Sequence, residues 1–215
     1  FDFCDAGPDV QSPAENLGQV VFGERIRPSP YKLTFLQNQS CEKVCTKTYI
    51  GGDSQSELHL EKLKQGMSLN YQHHWIVDNM PVTWCYRLED ERQYRSTRFP
   101  MGCYSRETKT MQDTCSMNPS YSKPNTYYLF NHVDLKITYH SGETEDWGSR
   151  FGASGGRIIA VEVSPRSIHH GASPDCNSKQ PMEIPAGKLP PGKTLDITYT
   201  YSVTYHRDNS VKWSS

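Results

Sequence analysis

Asn70-Tyr71-Gln72-His73-His74-Trp75-Ile76-Val77-Asp78-Asn79-Met80-Pro81-Val82-Thr83-Trp84-Cys85-Tyr86 sets two runs of strand-forming residues on either side of the turn signal Asp78-Asn79-Met80-Pro81. Side chains alternate along a strand, so Tyr71, His73, Trp75 and Val77 share one face of the first run. Val82, Trp84, Tyr86 and Leu88 share a face of the second, and Gln72, His74, Thr83, Cys85 and Arg87 take the opposite sides. The stretch therefore predicts a β-hairpin with one aromatic and one polar face per strand. Pro81 cannot donate to a ladder, which places it at a strand start, an edge or a bulge. The facing tryptophans Trp75 and Trp84 are expected in the core. The polar edge and turn, Gln72, His74, Asp78, Asn79 and Met80, is the candidate partner surface, because exposed loops carry function more often than cores do.

Outward from the hairpin, Gln19 to Arg27 alternates weakly and predicts a strand ending at Pro28, and Tyr31 to Leu36 predicts the next. Ser54-Gln55-Ser56-Glu57 has capping-box spacing. A helix to about Gln65 follows, with Leu58, Leu60, Leu63 and Met67 as its apolar stripe and Gly66 placed to end it. Glu89 to Asn125 reads as a long polar excursion pinned by a bridge. Tyr127 to His140 alternates again, with an interruption at Asn131 that predicts a bulge or a buried amide. Ile158 to Val163 is a central strand between loops at 140–157 and 165–193. Thr194 to His206 alternates most regularly, as a long half-buried antiparallel strand does. The sum is a mainly β chain: an antiparallel β-sandwich of jelly-roll or Greek-key type, with one short helix and long disulfide-pinned loops, forming a single domain over residues 1–215.

Mean hydropathy is -0.73, and no apolar run approaches the roughly 20 residues that cross a bilayer. No basic stretch followed by an apolar region marks a signal peptide. Lys plus Arg number 23 and Asp plus Glu 24, interspersed, so nothing favours nucleic acid or an anionic membrane surface as partner.

Together with Glu15-Asn16-Leu17-Gly18-Gln19, Phe22-Gly23-Glu24-Arg25-Ile26, Ser29-Pro30-Tyr31, Phe130-Asn131-His132-Val133-Asp134 and Thr198-Tyr199-Thr200-Tyr201-Ser202-Val203, the hairpin wording resembles the nonaspanins, the transmembrane nine superfamily. The resemblance covers nearly the whole chain. It implies a lumenal amino-terminal domain ahead of nine membrane-spanning helices in Golgi and endosomal membranes. It also implies a cysteine at the place of Arg95, where this chain departs.

Seven cysteines, Cys4, Cys41, Cys45, Cys85, Cys103, Cys115 and Cys176, together with the sequon Asn38-Gln39-Ser40, point to the secretory pathway and an N-glycan at Asn38. Seven cannot all pair internally, so at least one is left over. Cys103 with Cys115 and Cys41 with Cys45 are the local pairings expected. Structural zinc needs a second close pair to answer Cys41 and Cys45, and none does, so no metal or cofactor is expected. Adjacent His73 and His74 point to opposite faces of a strand and cannot easily grip one ion. With His132 they are candidates for pH sensing in an acidified compartment. Gly152-Ala153-Ser154-Gly155-Gly156 matches the nucleophile elbow formally but lies in a loop before a strand, the wrong context for a hydrolase.

Two functional classes remain. The resemblance implies a non-enzymatic lumenal domain that helps sort membrane proteins, including cargo with glycine-rich transmembrane segments, through contacts with cargo or with the family's own membrane part. The alternative is a carbohydrate- or ligand-binding jelly-roll module, with which the aromatic and asparagine content is compatible.

Overall fold

A computed structural model describes residues 1–5, 19–22, 25–87, 91–108, 114–143 and 155–211, with backbone alone for 19–28. The Asn70 to Tyr86 hairpin forms as β4 (Gln72–Val77) and β5 (Met80–Arg87). Asp78 and Asn79 have φ of 47° and 63°, the left-handed pair of a two-residue turn, so Met80 and Pro81 belong to the strand rather than the turn. The two strands pair only at Ile76 with Pro81 and Val77 with Met80, then diverge. β4 pairs instead with β1 (Gln19–Phe22) and, through Gln72 and His73, with β7 (Phe99–Pro100). β5 pairs with β6 (Gln93–Ser96) and runs parallel to β11 (Arg157–Arg166). The hairpin is therefore the corner joining two layers. The facing of Trp75 and Trp84 is accordingly not realised: Trp75 packs on Tyr31 and Phe99, and Trp84 stacks on Tyr86.

The large sheet runs β2 (Arg25–Pro28), β1, β4, β5, β11, β10 (His132–His140), β13 (Thr194–Arg207), β3 (Gln39–Ile50). A second sheet holds β12 (Glu183–Pro185), β9 (Thr126–Leu129) and β8 (Gly102–Ser105). The chain is mainly β, with one α-helix among the described residues, as expected, but the sheet is mixed: β10 with β13 and β5 with β11 are parallel. Alternation reports which face is buried and carries no information about strand direction. The parallel partners are far apart in the chain, with residues 88–156 between β5 and β11 and 141–193 between β10 and β13, long enough for the crossover that a parallel pair needs.

Two cores meet along β13. Its Tyr201 and Val203 join Val133, Leu135 and Ile137 of β10, Val161 and Val163 of β11, and Trp75, Val77 and Phe99 of the facing layer. Its Ile197 and Tyr199 join Tyr49, Met101, Ile184 and the helix residues Leu60, Leu63 and Met67. The helix, α1, spans Ser54–Ser68 and is capped by Asp53, whose Oδ2 accepts from Ser56 N at 2.9 Å, one residue upstream of the expected box. It ends at Asn70 (φ 53°), where Asn70 N donates to Met67 O and Tyr71 N to Gly66 O. Gly66 is not the stop. A Cβ there would lie 2.6 Å from the Phe1 ring and 2.7 Å from Met101 Sδ, so the glycine permits packing. Leu58 is exposed and not part of the stripe.

Other expectations change. The strand over Gln19 to Arg27 is two strands, β1 and β2. Tyr31 to Leu36 is irregular and ends in a turn at Leu36 (φ 61°). The excursion from Glu89 holds β6, β7 and β8. Tyr127 to His140 breaks at Phe130 and Asn131 into strands of different sheets, and Asn131 is indeed a buried amide.

The disulfides are Cys4–Cys45, Cys41–Cys176 and Cys103–Cys115, with Cys85 left as a thiol. The Cys103–Cys115 pairing is found. The Cys41–Cys45 pairing is not: Cys41 has φ 49° beside a register shift in the β3–β13 ladder, and the two cysteines bond to different segments.

Candidate functional site

The expected partner surface divides. Asp78 and Asn79 are exposed at the corner turn, whereas Met80 is packed partly against the first core and Gln72 and His74 are half-buried where β4 pairs with β7 and β1. His73 sits among the rings of Phe3, Trp75 and Phe99, and burial pushes its imidazole down to about 4. Asn38 is exposed, with Oδ1 accepting from Tyr205 N at 2.9 Å. Of the formal elbow, residues 152–154 lie outside the described residues.

The richest chemistry lies on the outer face of the large sheet. Register aligns Arg166 of β11, His132 of β10 and Thr200 of β13 across three neighbouring strands. After β11 the chain folds back over this row, and Cys176 joins that segment to Cys41 on the edge strand β3. His132 and Thr200 are thereby withdrawn from water completely. His132 Nε2 bonds Asp134 Oδ1 at 2.9 Å, and an ionised carboxylate only accepts, so Nε2 carries a proton and, in the neutral ring, Nδ1 presents a lone pair. Nδ1 lies 2.8 Å from Thr200 Oγ1 and 3.5 Å from Cys176 Sγ. His170 Nδ1 accepts from Asp175 N at 2.9 Å, so its Nε2–H donates to Thr200 Oγ1 at 3.0 Å. The Thr200 hydroxyl then donates to His132, completing a directed chain. Asp134 also accepts from Arg166 Nε at 2.7 Å, and Arg166 Nη1 donates to Cys176 O at 3.3 Å.

Burial alone would raise the Asp134 carboxyl; the bonds and charges of His132 and Arg166 outweigh it and hold the group below its usual value. Burial, with His132 and His169 nearby, holds His170 below the ordinary histidine range. The His170 wall opens on a polar cleft of about 430 Å³ that also draws on Lys43, Thr46, His169, Asp196 and Thr198. Cys41, Cys176 and His170 bring three donor atoms within 4.8 Å of one another, but the two sulfurs are joined, and a disulfide sulfur is not the thiolate a metal binds.

The sequence singles out His132 only as one of three histidines proposed for pH sensing, with no partner named. Its meeting with Thr200 and Cys176 depends on a parallel strand pair and a bridge spanning 135 residues, and no local spacing announces either.

These features define a disulfide-stapled, mainly β chain in which, among the described residues, no helix is long and apolar enough to cross a membrane. The Endomembrane protein 70 family model matches residues 1–215, and the chain belongs to that family. It is 46% identical over 217 residues to Transmembrane 9 superfamily member 2 of Homo sapiens, covering 100% of this chain and 31% of that protein. Transmembrane 9 superfamily member 1 of Saccharomyces cerevisiae is 27% identical over 237 residues, with 100% of this chain and 32% of the relative covered. The chain thus spans about a third of the length of such relatives. No solved structure matches.

Proposed function

We propose that this chain is the lumenal domain of a multi-spanning protein of Golgi and endosomal membranes. It takes part, without enzymatic activity of its own, in sorting membrane proteins that include cargo with glycine-rich transmembrane segments. The match over residues 1–215 to proteins named for their membrane part carries the reading. Three disulfides suit the oxidising side of such a membrane, and the exposed Asn38 suits an N-glycan. The exposed Asp78-Asn79 corner is the surface offered to cargo or to the protein's own membrane helices. Lumenal proximity labelling from the full-length protein, with wild-type and Asp78→Arg/Asn79→Arg corners, tests this. Loss of labelled membrane-protein cargo in the variant is expected, and an identical labelled set in both rejects the corner as the contact.

The polar cleft beside His170 favours a second reading as a carbohydrate- or ligand-binding module. Reproducible binding on a glycan array, lost in Asp196→Ala, would establish it. Capture of cargo that persists after enzymatic deglycosylation favours protein recognition.

A further inference from the structure

The outer-face cluster sets a ring nitrogen of a buried histidine, His132 Nδ1, 3.5 Å from a disulfide sulfur. We propose that Cys41–Cys176 is an exchangeable disulfide, a covalent docking site for a thiol, in which Cys41 is attacked and Cys176 leaves as a thiolate held by His132.

Four observations converge. The imidazole is oriented as in a Cys-His-Asp constellation: Nε2 is fixed by Asp134 at 2.9 Å, and the Nδ1 lone pair lies 3.5 Å from Cys176 Sγ. The Thr200 hydroxyl, 3.7 Å from the same sulfur, is a second group able to turn toward a thiolate. Among the described residues no polar side chain makes a hydrogen-bonding contact to a sulfur of Cys4–Cys45 or Cys103–Cys115. The two sulfurs are also placed unequally. Cys41 stands on the edge strand β3 with its backbone in the left-handed region, whereas Cys176 is the sulfur in contact with His132 and Thr200.

The step balances without an external oxidant. A thiol R–SH attacks Sγ of Cys41 and forms R–S–S–Cys41. The Cys41–Cys176 bond breaks and its electron pair goes to Cys176 Sγ. The proton of R–SH ends on His132 Nδ1, giving an imidazolium–thiolate pair faced by Asp134 on the far side of the ring. The groups around that pair are Asp134 and Arg166 from β10 and β11, and His170 and Asp175 from the covering segment. A leaving thiol of lowered pKa departs faster, and an imidazolium neighbour lowers it. The edge strand keeps its place when the bond opens, because its ladder with β13 runs from Ile50 paired with Thr194 to Gln39 paired with Val203. What is released is the covering segment that carries His170 and walls the cleft.

The test equilibrates the oxidised chain, carrying Cys85→Ser to remove the unbridged thiol, in glutathione redox buffers, and reads each disulfide by differential alkylation and mass spectrometry. The expected result is an equilibrium constant for opening Cys41–Cys176 at least tenfold larger than for the other two bonds, about 30 mV for this two-electron couple. Glutathione should be found on Cys41 rather than Cys176. His132→Asn should remove the preference while leaving the other bonds unchanged. Asp134→Asn, at a half-exposed position, should reduce it in the same direction and serves alone if His132→Asn does not fold. Simultaneous or later opening of this bond, glutathione on Cys176, or a tenfold preference retained in the folded variant overturns the proposal.

Discussion

Asn131 and His132 are consecutive, and both are withdrawn from water, but their polar atoms meet different partners. The Asn131 side chain bonds main chain only: Nδ2 donates to Ile168 O at 2.7 Å and Thr198 O at 2.8 Å, and Oδ1 accepts from Ile168 N at 2.9 Å. It fastens the start of the covering segment to β13 at the point where the chain changes sheets. The His132 ring meets side chains only, Thr200, Asp134 and Cys176, all of which can change proton or bond. A buried amide that satisfies backbone groups builds the fold, whereas a buried imidazole among side chains builds a reactive network. Position in the sequence does not separate the two roles; the chemistry of the partners does.

The first way to break this contrast is to remove each ring or amide in turn. Asn131→Leu keeps the volume and takes this partner from two buried backbone groups of Ile168 and from the part-buried Thr198 O; at about 1–3 kcal/mol for each buried group, a loss of about 4 kcal/mol is expected in denaturant unfolding. His132→Asn should cost less, about 1–2 kcal/mol, since its partners retain other bonds or reach water. Equal losses would show that both residues are structural. A single coincident transition by tryptophan fluorescence and circular dichroism is expected in both variants, because β13 runs through both cores and the chain should unfold as one unit.

His73 supplies a second inward-facing imidazole, seated among the rings of Phe3, Trp75 and Phe99. Its folded value near 4 lies below the unfolded 6.5, so the unfolded state takes up the proton first. Its contribution to stability is complete above about pH 6.5 and is lost progressively as pH falls from 6.5 to 4. The loss has an upper limit of about 3 kcal/mol, lessened by the ring's residual exposure. Titration of unfolding free energy in wild type and His73→Phe measures it. A phenylalanine variant with the same slope between pH 6.5 and 4 refutes the assignment. The His73 response expected is thus a stability effect spread below pH 6.5.

Cys85 contrasts with Cys176 in the same way. Burial and the Glu162 carboxylate raise its thiol, outweighing Arg95, so alkylation in the folded protein near neutral pH should be slow. Cys85 and Arg95 are direct register partners on β5 and β6, the position where the family resemblance implies a second cysteine. Arg95→Cys should form a cross-strand bridge, seen as loss of the unbridged thiol and a gain of about 2 kcal/mol in stability. Two titratable thiols in the oxidised variant would contradict the register.

How far the sequence discloses this depends on what fixes each element. β13 is legible because hydrophobic burial selects its alternate residues. β3, twelve residues long, is missed because it is an edge strand whose only buried side chain is Tyr49, and it is held by the ladder to β13 and by Cys41 and Cys45. Covalent anchoring leaves no periodicity to read. The hairpin is read correctly as strands and turn, but its divergence depends on β1 and β7 competing for β4. At the site, the break in alternation announces Asn131, while the row Arg166, His132, Thr200 exists only once a parallel pairing is known.

The smallest effect isolates how a backbone-directed side chain anchors an irregular segment. Tyr201 leaves the core face of β13 and donates its hydroxyl to Lys32 O at 2.6 Å while accepting from Gln39 Nε2 at 3.2 Å. The segment from Tyr31 to Leu36 has a single β-bridge, at Lys32, and no extended strand, so this bond and the Tyr31 ring packing on Trp75 and Tyr201 supplement that one bridge. Tyr201→Phe retains the ring and its packing and removes only the hydroxyl, and a loss of about 1 kcal/mol is expected by chemical denaturation. Hydrogen exchange should quicken locally over 31–39 and stay unchanged at Ile168, the partner of Asn131. If exchange quickens at both places, the two anchors are coupled through β13, and the division between fold-building and reactive buried groups applies to the sheet as a whole rather than residue by residue.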